Sequence, residues 1–103
     1  MEVQTLNNDN FFDVINNADK PVIVDFYADW CGPCKRIAPV VAGLAKEHAD
    51  KVIFCKLNVD GSPEIAARYS VQSIPFFISF KNGALYKSMV GASSGDKILE
   101  LAD

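Results

Sequence analysis

Nowhere do the 103 residues approach the run of about 18 apolar side chains that a bilayer-spanning helix needs, so no membrane partner is expected. The opening Met1-Glu2-Val3-Gln4-Thr5 lacks a charged segment followed by roughly 7 to 15 apolar residues, which makes the cytoplasm the expected location. Basic residues are scarce: 10 Lys and Arg stand against 13 Asp and Glu, for a net charge of −3. They form no stripe, which excludes nucleic acid as the main partner because phosphate binding needs clustered cations. Cysteine is scarcer still. Three unevenly placed cysteines are too few for a secreted disulfide scaffold and fit a reducing compartment with a special use for some of them. Repeats and low-complexity stretches are missing, and the Gly and Pro residues fall singly, so residues 1–103 read as one domain without a linker. What remains is ordinary globular composition, 50% hydrophobic and 22% charged. At 11.3 kDa, folding shrinks a chain's surface from roughly 16,000 to roughly 5,700 Å², enough for a core without staples.

Hydrophobic periodicity supplies the elements. Val3 to Leu6 suits a short strand, after which Asn8 or Asp9 can cap a helix presenting Phe11, Phe12 and Ile15, ended by Asn16-Asn17. Pro21 to Ala28 is a nearly continuous β-prone run, the pattern of a strand covered on both faces. From Pro33, the residues Ile37, Val40, Val41, Leu44, Ala45 and His48 recur at helical spacing, predicting a long helix kinked near Pro39. Val52 to Val59 reads as a second buried strand, and Ser62-Pro63 opens a short helix with Ile65, Ala66 and Tyr69. Phe76 to Phe80 and Leu85 to Val90 form a hairpin about Asn82-Gly83, and Ser93 or Ser94 caps a last helix bearing Ile98, Leu99 and Leu101. The order βαβαβαββα implies an α/β fold, a mixed central sheet of about five strands flanked by four helices on both faces.

Trp30-Cys31-Gly32-Pro33-Cys34-Lys35 falls where the central strand gives way to the long helix. Cysteines three apart at a helix start lie about 5 to 5.5 Å apart at Cα, inside the range a disulfide allows, so the pair can open and close without large backbone movement. The helix N-terminus sets unpaired N–H groups beside Cys31 and favours its thiolate, which makes Cys31 the expected nucleophile. Cys34, one turn inside, is expected to be more shielded and suited to resolving a mixed disulfide. An isolated C-x-x-C also serves metals or arises by chance; the strand-to-helix setting favours redox chemistry. Asp25, amid Val22, Ile23, Val24 and Phe26, must be desolvated, which raises its pKa and suits proton exchange near neutrality. The competing role for Asp25 is a structural ion pair with Lys56. Cys55 alternates into a buried strand as a small hydrophobe, and His48 ends the long helix.

With those residues in view, the chain resembles the thioredoxin family. The likeness spans nearly all of it: Trp30 to Lys35, Asp25-Phe26 before it, Pro39 after it, then Lys56-Leu57-Asn58-Val59-Asp60, Ile74-Pro75, Phe80-Lys81-Asn82-Gly83 and Gly91. The resemblance implies a thioredoxin fold and a protein-disulfide reductase with a reversible Cys31-Cys34 dithiol. Cys31 would be the nucleophile, Cys34 the resolving thiol and Asp25 the base for Cys34, with Lys56 close by to tune its titration. It implies a cis Pro75 facing the cysteines, Ile74 backbone pairing with substrate, and an apolar groove completed by Trp30, Gly32, Pro33, Gly91 and Ala92. Pro33 between the cysteines matches the reducing members. Implied partners are disulfide-containing proteins and a thioredoxin reductase, which would carry the flavin and draw on NADPH; no cofactor or metal need bind this chain, and a monomer is the expected form.

Two positions depart from the family pattern. Tyr27 stands where many thioredoxins have a second Trp, and Phe76 follows the proline where Thr is common, which is expected to narrow or grease the groove beside Cys31. The last helix is short, ending at Ala102-Asp103, which bears on stability. Three rivals are distinguishable: a zinc site from Cys31, Cys34, His48 and Cys55, a redox-dependent docking module without turnover, and Trp30 as plain core packing.

Overall fold

The computed structural model describes residues 2–103. Its elements are β1 (Gln4–Leu6), α1 (Phe11–Asn17), β2 (Val22–Tyr27), α2 (Gly32–Glu47), β3 (Ile53–Asn58), α3 (Pro63–Arg68), β4 (Phe76–Lys81), β5 (Ala84–Val90) and α4 (Gly95–Leu99), closed by a 3-10 turn at Glu100–Ala102. The β-branched run Val22-Ile23-Val24 can satisfy its backbone and bury both faces only inside a sheet, and β2 is the middle strand of the order β1-β3-β2-β4-β5. β1, β3 and β2 are mutually parallel, while β4 runs antiparallel to β2 and β5 to β4. The α/β class, the five-stranded mixed sheet and the four helices follow the sequence expectation.

Strand alternation sorts β2 between two cores. Val22, Val24 and Phe26 join Phe11 and Ile15 of α1 and Ile65 of α3 on one face. Ile23 joins Ile37, Val41 and Ala45 of α2 and Ile98 of α4 on the other. Edge-on contacts link Phe11 to Phe80 at 5.7 Å and Tyr69 to Phe80 at 5.4 Å, tying α1 and the end of α3 to β4. Truncating the buried Phe11 or Phe80 ring to alanine costs about 3–5 kcal/mol by lost contacts and a residual cavity.

Two local details differ from the sequence reading, the cap of α1 and the exposure of Val40, while others bear it out. The N-cap of α1 is Asn10, not Asn8 or Asp9, and it makes no side-chain cap bond. Its Oδ1 is committed to the Asn7 N–H at 2.7 Å, while Asn7 Oδ1 accepts from Asp9 and Asn10 N–H at 2.8 and 3.0 Å, an Asx turn that holds the entry instead. As expected, α2 is one long helix with Pro39 inside it. Val40 leaves the expected buried stripe and is 39% exposed, because Ile37, Val41 and Ala45, four residues apart, already fill the sheet-facing line. The β4–β5 turn uses positive φ at Asn82 (54°) and Gly83 (79°), the backbone twist a two-residue hairpin favours. The short α4 is held by Ser94 Oγ, which accepts the Lys97 N–H at 3.2 Å, and by buried Ile98 and Leu101. Tyr86 Oη donates to the Asp103 carbonyl at 2.7 Å, pinning the terminal turn to β5.

Candidate active site

Parallel pairing of β2 with β3 brings their C-terminal ends to one end of the sheet, and the antiparallel β4 begins at that same end. The residues after β2 (Ala28 to Cys34), after β3 (Val59, Asp60), before β4 (Ile74, Pro75) and after β5 (Gly91) therefore meet there, from four distant stretches of chain.

Cys31 is the N-cap of α2 and is disulfide-bonded to Cys34, with Cα atoms 5.3 Å apart. The Cys34 N–H donates to Cys31 Sγ at 3.2 Å, so a backbone donor at the positive end of a 16-residue helix already faces the sulfur that carries charge when the bond opens. Ile74 and Val59 pack over the pair together with Ala28 and Tyr27. Cys34 is not the more shielded of the two: both residues are 4% exposed in the disulfide form, because Ile74, held against Pro75, covers Cys31 as effectively as the helix covers Cys34.

The Ile74-Pro75 bond is cis, and the Ile74 carbonyl oxygen lies 3.8 Å from Cys31 Sγ. The Gly91 N–H donates to the Pro75 carbonyl at 2.8 Å, and Gly91 has φ +89°, a conformation that disfavours any side chain there. Ile74 is half-buried against the cysteine cluster and Gly91 is half-buried, while Trp30, Gly32, Pro33 and Ala92 are exposed. Trp30 is 71% exposed, which removes the core-packing reading. Its Nε1–H donates to Asp60 Oδ2 at 2.8 Å, a partner the sequence reading missed. The signal was available: Asp60 opens the turn after β3, whose last residues pair in register with the end of β2, and Asn58 Oδ1 fixes that turn through the Asp60 N–H at 2.9 Å.

Asp25 is buried on the α2 face of β2, in register with Lys56 of β3 and Phe77 of β4. Its Oδ1 has no hydrogen-bond partner. Burial pushes its carboxyl up to about 7, with the Lys56 charge pulling the other way. The structural ion pair does not form: the Lys56 ammonium instead sits over the Tyr27 ring, 5.8 Å from its centroid. Asp25 and Lys56 share an open cleft of about 680 Å³ with Lys35, Ala38 and Pro39 of α2, which gives the buried carboxyl a route to water.

Cys55 is fully buried in the α1/α3 core, and burial pushes its thiol up to about 12. His48 caps the far end of α2, its N–H donating to the Leu44 carbonyl. With Cys55 on the other face of the sheet and His48 at the other helix end, the zinc constellation does not converge. Among the described residues, no group of three His, Cys, Asp or Glu side chains is placed to hold a metal ion. Phe76 turns its ring edge-on to Phe26 at 6.4 Å and packs on the α1/α3 core while staying half-buried.

Residues 2–103 match the Thioredoxin family model. The chain is 46% identical over 91 residues to the chloroplastic M-type thioredoxin of Pisum sativum, covering 88% of this chain and 53% of that protein. The corresponding Spinacia oleracea protein is 47% identical over 91 residues, 88% of this chain and 50% of the relative. The chain thus spans about half the length of these two plant relatives. A thioredoxin of Alicyclobacillus acidocaldarius is 46% identical over 100 residues, 96% of this chain and 94% of its own. Among solved structures, a chain from work on the thiol-resolving mechanism of yeast mitochondrial 1-Cys peroxiredoxin via glutathione/thioredoxin systems superposes with a TM-score of 0.87. It shares 33% identity, covering 97% of this chain and 92% of that one.

Proposed function

The chain belongs to the thioredoxin family, and on that premise we propose that it is a thiol–disulfide oxidoreductase that reduces protein disulfides. The observation that carries this reading is the Cys31–Cys34 disulfide at the start of α2, with the Cys34 N–H on Cys31 Sγ. In the reduced protein, the Cys31 thiolate attacks one sulfur of a substrate disulfide and expels the other as a thiolate. The Cys34 thiol then yields its proton to the Asp25 carboxylate, and its sulfur attacks Cys31 Sγ, expelling the second substrate thiolate. Both leaving thiolates take up protons; the substrate gains two electrons and the chain ends oxidised. A carboxyl near 7 is matched to this task, because it is present in both protonation states at neutral pH. Substrate backbone would lie along Ile74, with Trp30, Gly32, Pro33, Gly91 and Ala92 as the flanking surface.

A thioredoxin reductase carrying flavin and using NADPH would recharge the pair. We place the exchange in a reducing compartment, the cytoplasm in the simplest case, which cell fractionation tests. The activity test is NADPH-coupled reduction of a protein disulfide with a thioredoxin reductase. Wild type should turn over steadily, Cys31→Ser should be inactive, and Cys34→Ser should accumulate a mixed disulfide. Failure of wild type with the reductase and also with dithiothreitol as the electron source would overturn the reductase reading in favour of a docking module.

A further inference from the structure

Tyr27 takes no part in the exchange steps, yet it touches both halves of the site. It packs against the Cys31–Cys34 cluster, and it lies on the same face of β2 as Asp25, two residues along. Lys56 stands directly opposite Asp25 in the parallel β2–β3 register, where a flexible four-carbon stem could reach either the carboxyl or the ring. It is over the ring, 5.8 Å from the centroid, and Asp25 Oδ1 is left without a partner. We propose that Tyr27 is a positioning residue: its ring holds the Lys56 ammonium off the Asp25 carboxyl, so that Lys56 acts on Asp25 through space and the carboxyl stays free to take up and release a proton.

An unpartnered carboxyl with a cation nearby but not bonded has burial as its leading influence and Lys56 as a weaker opposing one, the order found for Asp25. The charged and titratable groups that face it are Lys56 from β3 and, lining the same cleft, Lys35 and Lys46 from α2 and Glu2 ahead of β1. Phe77 of β4 brings none. The Tyr27 phenol itself is raised by burial and by Asp29 and Asp25, so it stays neutral while Asp25 titrates. The use of this arrangement rests on the proposed reductase cycle, but its measurement does not.

The experiment is a ¹³C NMR titration of the Asp25 carboxyl in the oxidised protein, which needs neither reductase nor substrate. Tyr27→Leu frees Lys56 to approach, so the Asp25 midpoint should fall by about one pH unit. Tyr27→Phe keeps the ring and should leave the midpoint where wild type has it. In the Lys56→Met background, Tyr27→Leu should move nothing. Equal shifts in both backgrounds, no shift with Lys56 present, or Phe acting like Leu would each overturn the proposal. Should Tyr27→Leu not fold, pentafluorophenylalanine in place of Tyr27 keeps the ring but loses its negative face, and an unmoved midpoint would then overturn it. Loss of reductase activity alongside the predicted titration would sink the functional reading and leave this one standing.

Discussion

Replacing Asp25 with asparagine should remove most of the pH dependence of stability between about pH 4 and pH 7. Burial pushes the Asp25 carboxyl up to about 7 from an ordinary value of 3.8, so between these values the folded chain keeps a proton that the unfolded chain has released. The folded state binding more protons means stability falls as pH rises: Asp25 weighs least on the fold below about pH 4, and the loss is complete above about pH 7. At about 1.4 kcal/mol per pH unit, the window corresponds to about 4 kcal/mol. Asparagine cannot ionise, and its buried amide adds an offset of about 1 kcal/mol that does not vary with pH. Urea unfolding of oxidised wild type and Asp25→Asn, from pH 4 to pH 8, reads the difference directly, with all other titrating groups cancelling. By pH 8 the variant's midpoint should have gained about 2 M urea on wild type relative to pH 4, given a typical dependence of about 1–3 kcal/mol per M for small proteins. Parallel curves across the whole range would refute the reasoning, since they would mean that Asp25 ionises at its ordinary value in the fold.

Lys56→Met removes the charge that holds Asp25 down, so the ¹³C midpoint of the Asp25 carboxyl should rise above its wild-type value near 7. Gly83→Ala forces a side chain into a φ of +79° and against the Asn16 side chain, and should cost about 1–2 kcal/mol in urea unfolding. In reduced native protein at neutral pH, iodoacetamide should label Cys31 and leave Cys55 untouched, because burial holds the Cys55 thiol at about 12; mass spectrometry should find Cys55 labelled only in urea.

The order of elements was legible because each signal is local. Val22-Ile23-Val24 says strand whatever surrounds it, and Asn82-Gly83 fixes a hairpin by its own dihedral freedom. The cysteine pair was legible for the same reason, since three residues at a helix start set its Cα spacing. Features that depend on which of several donors wins were not. Asn7, Asn8, Asp9 and Asn10 all suit a cap, and the Asn7–Asn10 turn decided among them by using Asn10 itself. The relative cover of Cys31 and Cys34 was misread because Ile74, which closes over Cys31, lies 43 residues away in sequence.

Asp25 shows where that boundary falls within one side chain. Period-two alternation places it on the face of Ile23, and because Ile23 must be buried, a residue two positions along the same central strand is buried as well. The raised carboxyl thus follows from a six-residue string. Whether it is also neutralised by Lys56 does not, because register brings the lysine opposite and then leaves a flexible stem with two acceptable ends, a carboxylate or an aromatic face. An ion pair there would stabilise the fold and drag the carboxyl away from neutrality. The ring leaves a buried acid unsatisfied, a cost that the proposed cycle puts to use in taking the Cys34 proton.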